Sequence, residues 1–225
     1  LTSCWLLRGH LRDGRDLLAS GLAQESAVDA PSFAIGQLAL AGVLGALDGA
    51  APGLRWCEES LCGFLATGDG PNIARAYQQA AALALSLDDR ERTTRYIAAA
   101  LSALEALPPT AWAERAICHV LWTEGIQAKD SGDFAGSEAR LREVIARQQR
   151  IAQESGKEQP HACGPLLTLG SILHCQGKTG SALTYYQGAL ELAWRFQMVG
   201  PATATLARIA GMLGAQGRWQ EAAWI

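Results

Sequence analysis

Four residues in the last third of this 225-residue chain carry side chains able to bind a soft metal: His161, Cys163, His174 and Cys175. A zinc ion held by Cys and His needs two ligand pairs converging on one point, each pair two to four residues apart. His161 and Cys163 open an apolar helical pattern, whereas His174 and Cys175 close it, about 17 Å away at 1.5 Å per helical residue. They cannot share one ion, and they read as ordinary helix residues. Cys57 and Cys62, five apart on one helix, point in different directions and fail in the same way. Gly177-Lys178-Thr179 looks like the end of a phosphate-binding loop, but such a loop needs a Gly five residues before its second Gly, where this chain has Ile172. The tripeptide reads as a turn between helices. Neither a nucleophile elbow nor a His-Glu-x-x-His pair occurs, and Glu58, Glu59, Asp88 and Asp89 read as solvated helix faces or helix starts, where acids favour the positive end of the dipole. Catalysis, metal and cofactor are therefore not expected, and binding is the chemistry left.

The elements that would position a binding face announce themselves as a repeat. Small turn residues recur at Gly9, Asp48, Asp88, Gly132, Gly177 and Gly217, spaced 39, 40, 44, 45 and 40 residues apart. Five and twelve positions after each anchor the chain stays mostly small, as in Gly53 and Ser60, Ala182 and Ala189. A period of this length signals a solenoid, in which each unit buries its apolar face only against its neighbours. Each unit reads as an antiparallel helix pair, A before the anchor and B after it. In the fifth unit, helix A starts near Pro160 to Pro165 and ends at Gln176, and helix B runs from about Thr179 to Phe196. Gly177 supplies the left-handed backbone that the reversal needs, and the alanines mark where the two helices cross closely. Prolines at Pro31, Pro71, Pro108, Pro109, Pro160 and Pro201 open the A helices, and Pro52 sits in the first turn of a B helix.

The expected fold is all-α: a right-handed superhelix of antiparallel helix pairs, about six units of 39–45 residues, one repeat domain over residues 1–225. The first and last units are read as cut within a repeat, since Cys4, Trp5, Leu6 and Leu7 open the chain and Ala222, Ala223, Trp224 and Ile225 close it where polar capping repeats are usual. The chain is accordingly expected to be a fragment of a larger protein, with self-association through Trp5 and Trp224 as one consequence. In such a solenoid the A helices line the concave face. The positions facing that groove are Arg75, Gln78, Gln79 and Ala82; His119, Trp122, Ile126 and Lys129; Thr168, Ser171 and His174; and Arg208 and Gly211. This mixture of aromatic, basic and amide groups suits a peptide or a small polar ligand.

Composition narrows the partners. Hydrophobic residues make up 49% and charged residues 18%, enough apolar material for a continuous core between helices. A net charge of −3 with only three lysines, Lys129, Lys157 and Lys178, argues against direct contact with nucleic acid, which needs clustered basic residues. The most apolar stretch, Phe33 to Leu47, is broken by Gln37 and reads as a buried helix rather than a membrane span. Six cysteines placed singly in helical patterns fit reduced thiols and a cytoplasmic location.

The small residues at Gly170, Gly177, Ala182 and Ala189, and again at Ala210, Gly217 and Ala222, resemble the tetratricopeptide repeat (TPR). That repeat is about 34 residues long, so the units here would carry about one extra turn per helix. Long repeats of this kind resemble the sensor arm of bacterial signal-transduction ATPases, among them LuxR-type transcriptional regulators, and the segment Trp5-Leu6-Leu7-Arg8-Gly9-His10-Leu11-Arg12-Asp13-Gly14-Arg15 is similar to the start of that arm. The resemblance implies a non-catalytic arm that binds a protein, a peptide or a small-molecule inducer. It would relay occupancy to an ATPase domain and a DNA-binding domain of the same parent protein. The alternatives are a general protein-interaction scaffold and the repeat tail of a larger cyclase or kinase.

Overall fold

In the computed structural model, residues 10–23, 29–156, 160–218 and 220 are described. Ten α-helices run through them: α1 Leu11–Leu22, α2 Ala30–Leu47, α3 Ala50–Thr67, α4 Gly70–Ser86, α5 Arg90–Glu105, α6 Ala111–Asp130, α7 Phe134–Ser155, α8 Cys163–Cys175, α9 Thr179–Arg195 and α10 Val199–Ala215. A short 3-10 turn, Pro160–Ala162, precedes α8. The helices alternate as the repeat predicts, with α2, α4, α6, α8 and α10 as A helices and α1, α3, α5, α7 and α9 as B helices. The anchor Gly9, the segment Cys4 to Arg8, and Ala222 to Ile225 lie outside the described residues.

The anchors work through one hydrogen-bond motif. Asp88, Gly132, Gly177 and Gly217 all have positive φ, and the N–H of the next residue donates back across the turn: Asp89 to Ala84, Asp133 to Ala128, Lys178 to Leu173 and Arg218 to Leu213. This closure satisfies the carbonyls a helix end leaves orphaned. Gly68 and Gln197 repeat it at two B-to-A junctions, with bonds from Asp69 to Phe64 and from Met198 to Ala193. Several of these turns pass directly into an aspartate cap: Asp69, Asp89 and Asp133 accept from the N–H groups of Asn72, Arg92 and Gly136. The second anchor is displaced by one residue. Asp48 has φ −109°, and Gly49 takes the positive φ of 97°, since the glycine adopts it without the Cβ clash that Asp would meet.

Pairs within a unit are antiparallel, because the residues that meet lie at equal distances from the turn. A Cβ on Gly53 would approach the Ala41 carbonyl oxygen to 2.7 Å and the Gly45 backbone to 3.0 Å. One on Gly170 would strike the Tyr186 ring at 2.6 Å, and one on Gly125 would touch Leu141 at 3.3 Å. The Ser137 hydroxyl donates to the Gly125 carbonyl at 2.6 Å, tying α7 to α6. Successive units run parallel in register. The Gln79 amide donates to the Leu38 carbonyl 41 residues earlier, and Arg142 donates to the Tyr185 hydroxyl 43 residues later, offsets that match the period of the sequence.

The chain forms two compact units, Leu1–Thr123 and Glu124–Ile225, whose boundary falls inside α6. In the first, the core is built largely of alanines (Ala34, Ala41, Ala74, Ala76, Ala80, Ala81, Ala84, Ala100) with Phe64, Leu104 and Ile97 filling between them. In the second, Leu141, Val144, Leu169, Ile172, Leu173 and Tyr186 are almost wholly buried. Burial of each such large side chain contributes about 1.5–3 kcal/mol, whereas ion pairs such as Arg140–Glu124 and Arg142–Glu138, with their guanidinium groups about half exposed, contribute at most about 1 kcal/mol. Apolar burial therefore sets the fold. In α1 the small-residue rule holds at Gly14, which is buried, and fails at Gly21, which is exposed and where a Cβ would meet nothing within 4 Å. Helix α2 has the length and mean hydropathy of a membrane span, 1.6 over 18 residues, yet its Ala41, Val43 and Leu44 are core residues and Gln37 is buried with them.

Candidate functional site

Two A helices of the first unit carry its expected groove residues. On α4, Arg75 is exposed, and its guanidinium lies 5.6 Å from the centre of the Trp112 ring on α6. It also donates to the Asn72 side chain at 3.4 Å. This cation–π stacking holds an otherwise mobile cation over a half-buried aromatic surface. Two turns along α6, His119 sets its ring edge-on to Trp122, with centroids 5.5 Å apart and planes at 76°. Gln78 is half-buried. Gln79 is consumed by its bond to α2. Arg75 and Trp112 thus form one cluster, and His119 and Trp122 a second.

In the second unit the expected groove residues have more local engagements. Lys129 pairs with its neighbour Asp130 at 2.5 Å. The Thr168 and Ser171 hydroxyls donate to carbonyls one turn back in α8, those of Gly164 and Leu167. Ser171 additionally accepts from the Tyr186 hydroxyl at 3.4 Å, which links α8 to α9. His174 is half-buried in the last turn of α8, and Arg208 is exposed on α10. These residues sit on A helices as the period predicts, while their hydroxyls serve the scaffold.

Two features escaped the sequence. Glu58, read there as a solvated face, is half-buried and joins α3 to α5: it accepts from the Tyr96 hydroxyl and pairs with Arg92 at 3.6 Å. Arg92 in turn donates to Asp89 at 2.6 Å. Burial, then the bond to Glu58, pushes the Tyr96 hydroxyl up to about 12. The only hint in the sequence is the 38-residue spacing of Glu58 and Tyr96, close to one period.

The second feature is a cleft of about 710 Å³ where α7 passes into α8, lined by Ile145, Gln148, Gln149, Ala152, Gln153, Gly156, Ala162, Leu166 and Leu192. Among the described residues that line it, none carries a charge. Gln148 is 6% exposed, donates from Nε2 to the His161 carbonyl at 3.3 Å, and its Oε1 has no hydrogen-bond partner among the described residues. The cleft has a geometric origin. Helix α7 has 22 residues and α8 only 13, about 33 Å against 20 Å of helix, and the 3-10 turn stands where α8 would otherwise have its first turn.

The cysteine and histidine groups do not assemble. Among the described residues no three His, Cys, Asp or Glu side chains converge as metal ligands. Cys163 is buried and donates to the Ala189 carbonyl at 3.3 Å, Cys175 is exposed at the far end of α8, and His161 is exposed in the 3-10 turn. Cys57 donates to the Ala76 carbonyl at 3.1 Å, and burial followed by the charge of Glu58 pushes its thiol up to about 12. Burial also raises the Cys163 thiol. Both are held as neutral thiols and are poor nucleophiles.

No protein-family model matches the chain, and no curated protein matches it significantly. Solved structures do. A Rap protein complexed with competence and sporulation factor superposes with a TM-score of 0.76 at 13% identity, over 99% of this chain and 70% of that one. The apo form of the quorum sensor NprR from B. thuringiensis gives 0.66 at 13% identity, over 97% and 70%. The TPR-like repeats of a putative kinesin light chain from Podospora anserina give 0.56 at 12% identity, over 88% and 93%. The fold is that of TPR-like helical-repeat proteins.

Proposed function

We propose that this chain is a non-catalytic arm that binds a peptide or an unfolded segment of a protein partner. The observation that carries the reading is the match, over nearly the whole chain, to a Rap protein complexed with competence and sporulation factor, together with a Rap conjugation gene regulator of a plasmid in complex with the Phr* peptide at a TM-score of 0.75. The A helices of the first unit support it, because Arg75 on Trp112 and His119 against Trp122 offer a cation and aromatic faces to a flexible ligand. The groove positions Arg75, Gln78, His119, Trp122, Lys129, Thr168, Ser171, His174 and Arg208 are the proposed contacts, with the first four carrying most of the affinity. We further propose that the chain serves as the arm of a cytoplasmic bacterial regulator of transcription, in which ligand occupancy would act on an ATPase and a DNA-binding domain. Matches to kinesin light chain repeats and to PilF of Pseudomonas aeruginosa favour a plain interaction scaffold as the second reading.

Selection of a random peptide library on the full chain, followed by titration monitored by tryptophan fluorescence, tests the proposal. Selected peptides are expected to bind in the micromolar range, and Arg75→Ala and Trp112→Ala each to weaken them about tenfold, ~1.4 kcal/mol, the first by removing the cation and the second by releasing it from its stacked position. A library that yields no binder tighter than about 1 mM overturns peptide recognition.

A further inference from the structure

The cleft at the junction of α7 and α8 is chemically unlike the A-helix faces. Its walls are aliphatic: Ile145 and Ala152 on α7, Leu166 on α8 and Leu192 on α9. The polar side chains among its described lining residues are carboxamides, Gln148, Gln149 and Gln153, which recur on one side of α7 at helical spacing. A carboxamide offers a donor and an acceptor together, which is what a peptide group also offers. Gln148 has half of that capacity already committed. Its Nε2 donates to the His161 carbonyl, which ties the amide to the 3-10 turn, and Oε1 is left shielded from water without a partner among the described residues. A buried acceptor without a donor costs about 1–3 kcal/mol, so a ligand supplying an N–H there gains that amount in addition to its apolar contacts.

We propose that this cleft binds an extended, uncharged peptide segment, seating one aliphatic side chain between Leu166, Leu192 and Ala152 while the Gln148 Oε1 accepts a main-chain N–H. The proposal rests on the peptide-binding reading above and adds a second subsite with its own selectivity. A formal charge entering this cleft would be desolvated against aliphatic walls, and none of the described lining residues offers it a counter-ion. The subsite therefore selects neutral, aliphatic segments, whereas Arg75 in the first unit favours acidic ones. Because Oε1 is shielded, binding includes a small outward turn of the Gln148 amide.

Amide and side-chain NMR of the full chain titrated with N-acetyl-leucine-N′-methylamide, one aliphatic side chain between two peptide groups, tests the proposal. Saturable shifts are expected at the Gln148 and Gln149 carboxamides and at Ala152, Ala162 and Leu166. The corresponding aspartate diamide is expected to bind at least about tenfold more weakly. Ala152→Trp, which fills the cleft, should abolish the shifts. Gln148→Leu should weaken binding about tenfold, the loss of one hydrogen bond. If Ala152→Trp loses its dispersed spectrum, Leu192→Ala, which only opens the wall, is the second variant and should weaken binding about threefold. Shifts confined to Arg75, Trp112, His119 and Trp122, or equal binding of the leucine and aspartate probes, overturn the subsite. Absence of any saturable shift overturns it as well. If library-selected peptides still bind the full chain in either case, peptide recognition stands without this subsite; if the library also fails, both readings fall.

Discussion

The two compact units solve the same packing problem with different materials. The first brings helix backbones together, with alanines and glycines at the crossings, Gly53 against Ala41 and Gly45, and then braces neighbouring repeats with polar links: Gln79 to Leu38, and Glu58 to Tyr96 and Arg92. The second fills its crossings with larger groups, Leu141 over Gly125 and Tyr186 over Gly170, and combines helices of unequal length. Close backbone contact leaves little space between the crossing helices, so the candidate contacts of the first unit lie on its A-helix faces. Unequal helices leave a cleft, and with it a buried glutamine whose acceptor is unmatched. The regularity of a repeat thus supplies stability and a continuous face, and its irregularity supplies a second, enclosed place to bind.

That contrast can be broken most sharply at the crossings. Gly53→Ala places a methyl group within 2.7 Å of a backbone oxygen that cannot move aside, and it should destabilise the first unit by about 3 kcal/mol. Gly170→Ala meets the edge of the Tyr186 ring at 2.6 Å and the Ala182 carbonyl less closely, at 3.3 Å, and should cost about 2 kcal/mol. Amide hydrogen exchange locates each loss: Gly53→Ala should raise exchange in α2 to α5 and leave α8 to α10 unchanged, and Gly170→Ala should do the reverse. Equal exchange throughout after either change would mean that the two units unfold as one.

The brace of the first unit gives the next effect. Tyr96→Phe removes the hydroxyl that Glu58 accepts and should cost about 1.5 kcal/mol in urea unfolding. The hydroxyl is held protonated up to about 12, above its unfolded value of about 10. Between those values the native state keeps a proton that the unfolded chain has released, so this contribution is full below pH ~10 and is lost as the pH rises towards 12. The wild type should therefore lose stability faster than Tyr96→Phe over that window, and parallel curves would show that the link contributes nothing.

A helix cap has a smaller effect. Asp133→Ala exposes the start of α7 and should cost about 1 kcal/mol, measured by thermal unfolding, with Asp133→Asn close to wild type. At the surface, Arg142→Ala breaks links to Glu138 and Tyr185 that lie largely in solvent, and the loss should not exceed about 0.5 kcal/mol. A larger loss would show that the second unit relies on a polar brace as the first does.

Much of the scaffold was legible because a repeat states its rules several times. Gly132, Gly177 and Gly217 take positive φ as their type predicts, and Gly53, Thr93, Ser137 and Ala182, each five residues past its anchor, are all buried. Asp48 misled because Gly49 beside it takes the strained conformation more cheaply. The groove positions were legible as positions on A helices, but not their engagements. Whether Ser171 offers its hydroxyl to a ligand or to Leu167 and Tyr186 depends on what stands across from it. Glu58 was misread for the same reason, since its partner lies 38 residues away.

The sequence by itself determined the helix pairs, their turns and the small residues at their crossings, because these follow from local backbone geometry and a period that recurs along the chain. Only the tertiary structure decided where a long helix outruns a short one, which glutamine is buried there, and which arginine lies over which tryptophan. Those outcomes depend on distances between residues far apart in the chain, and no periodicity encodes them.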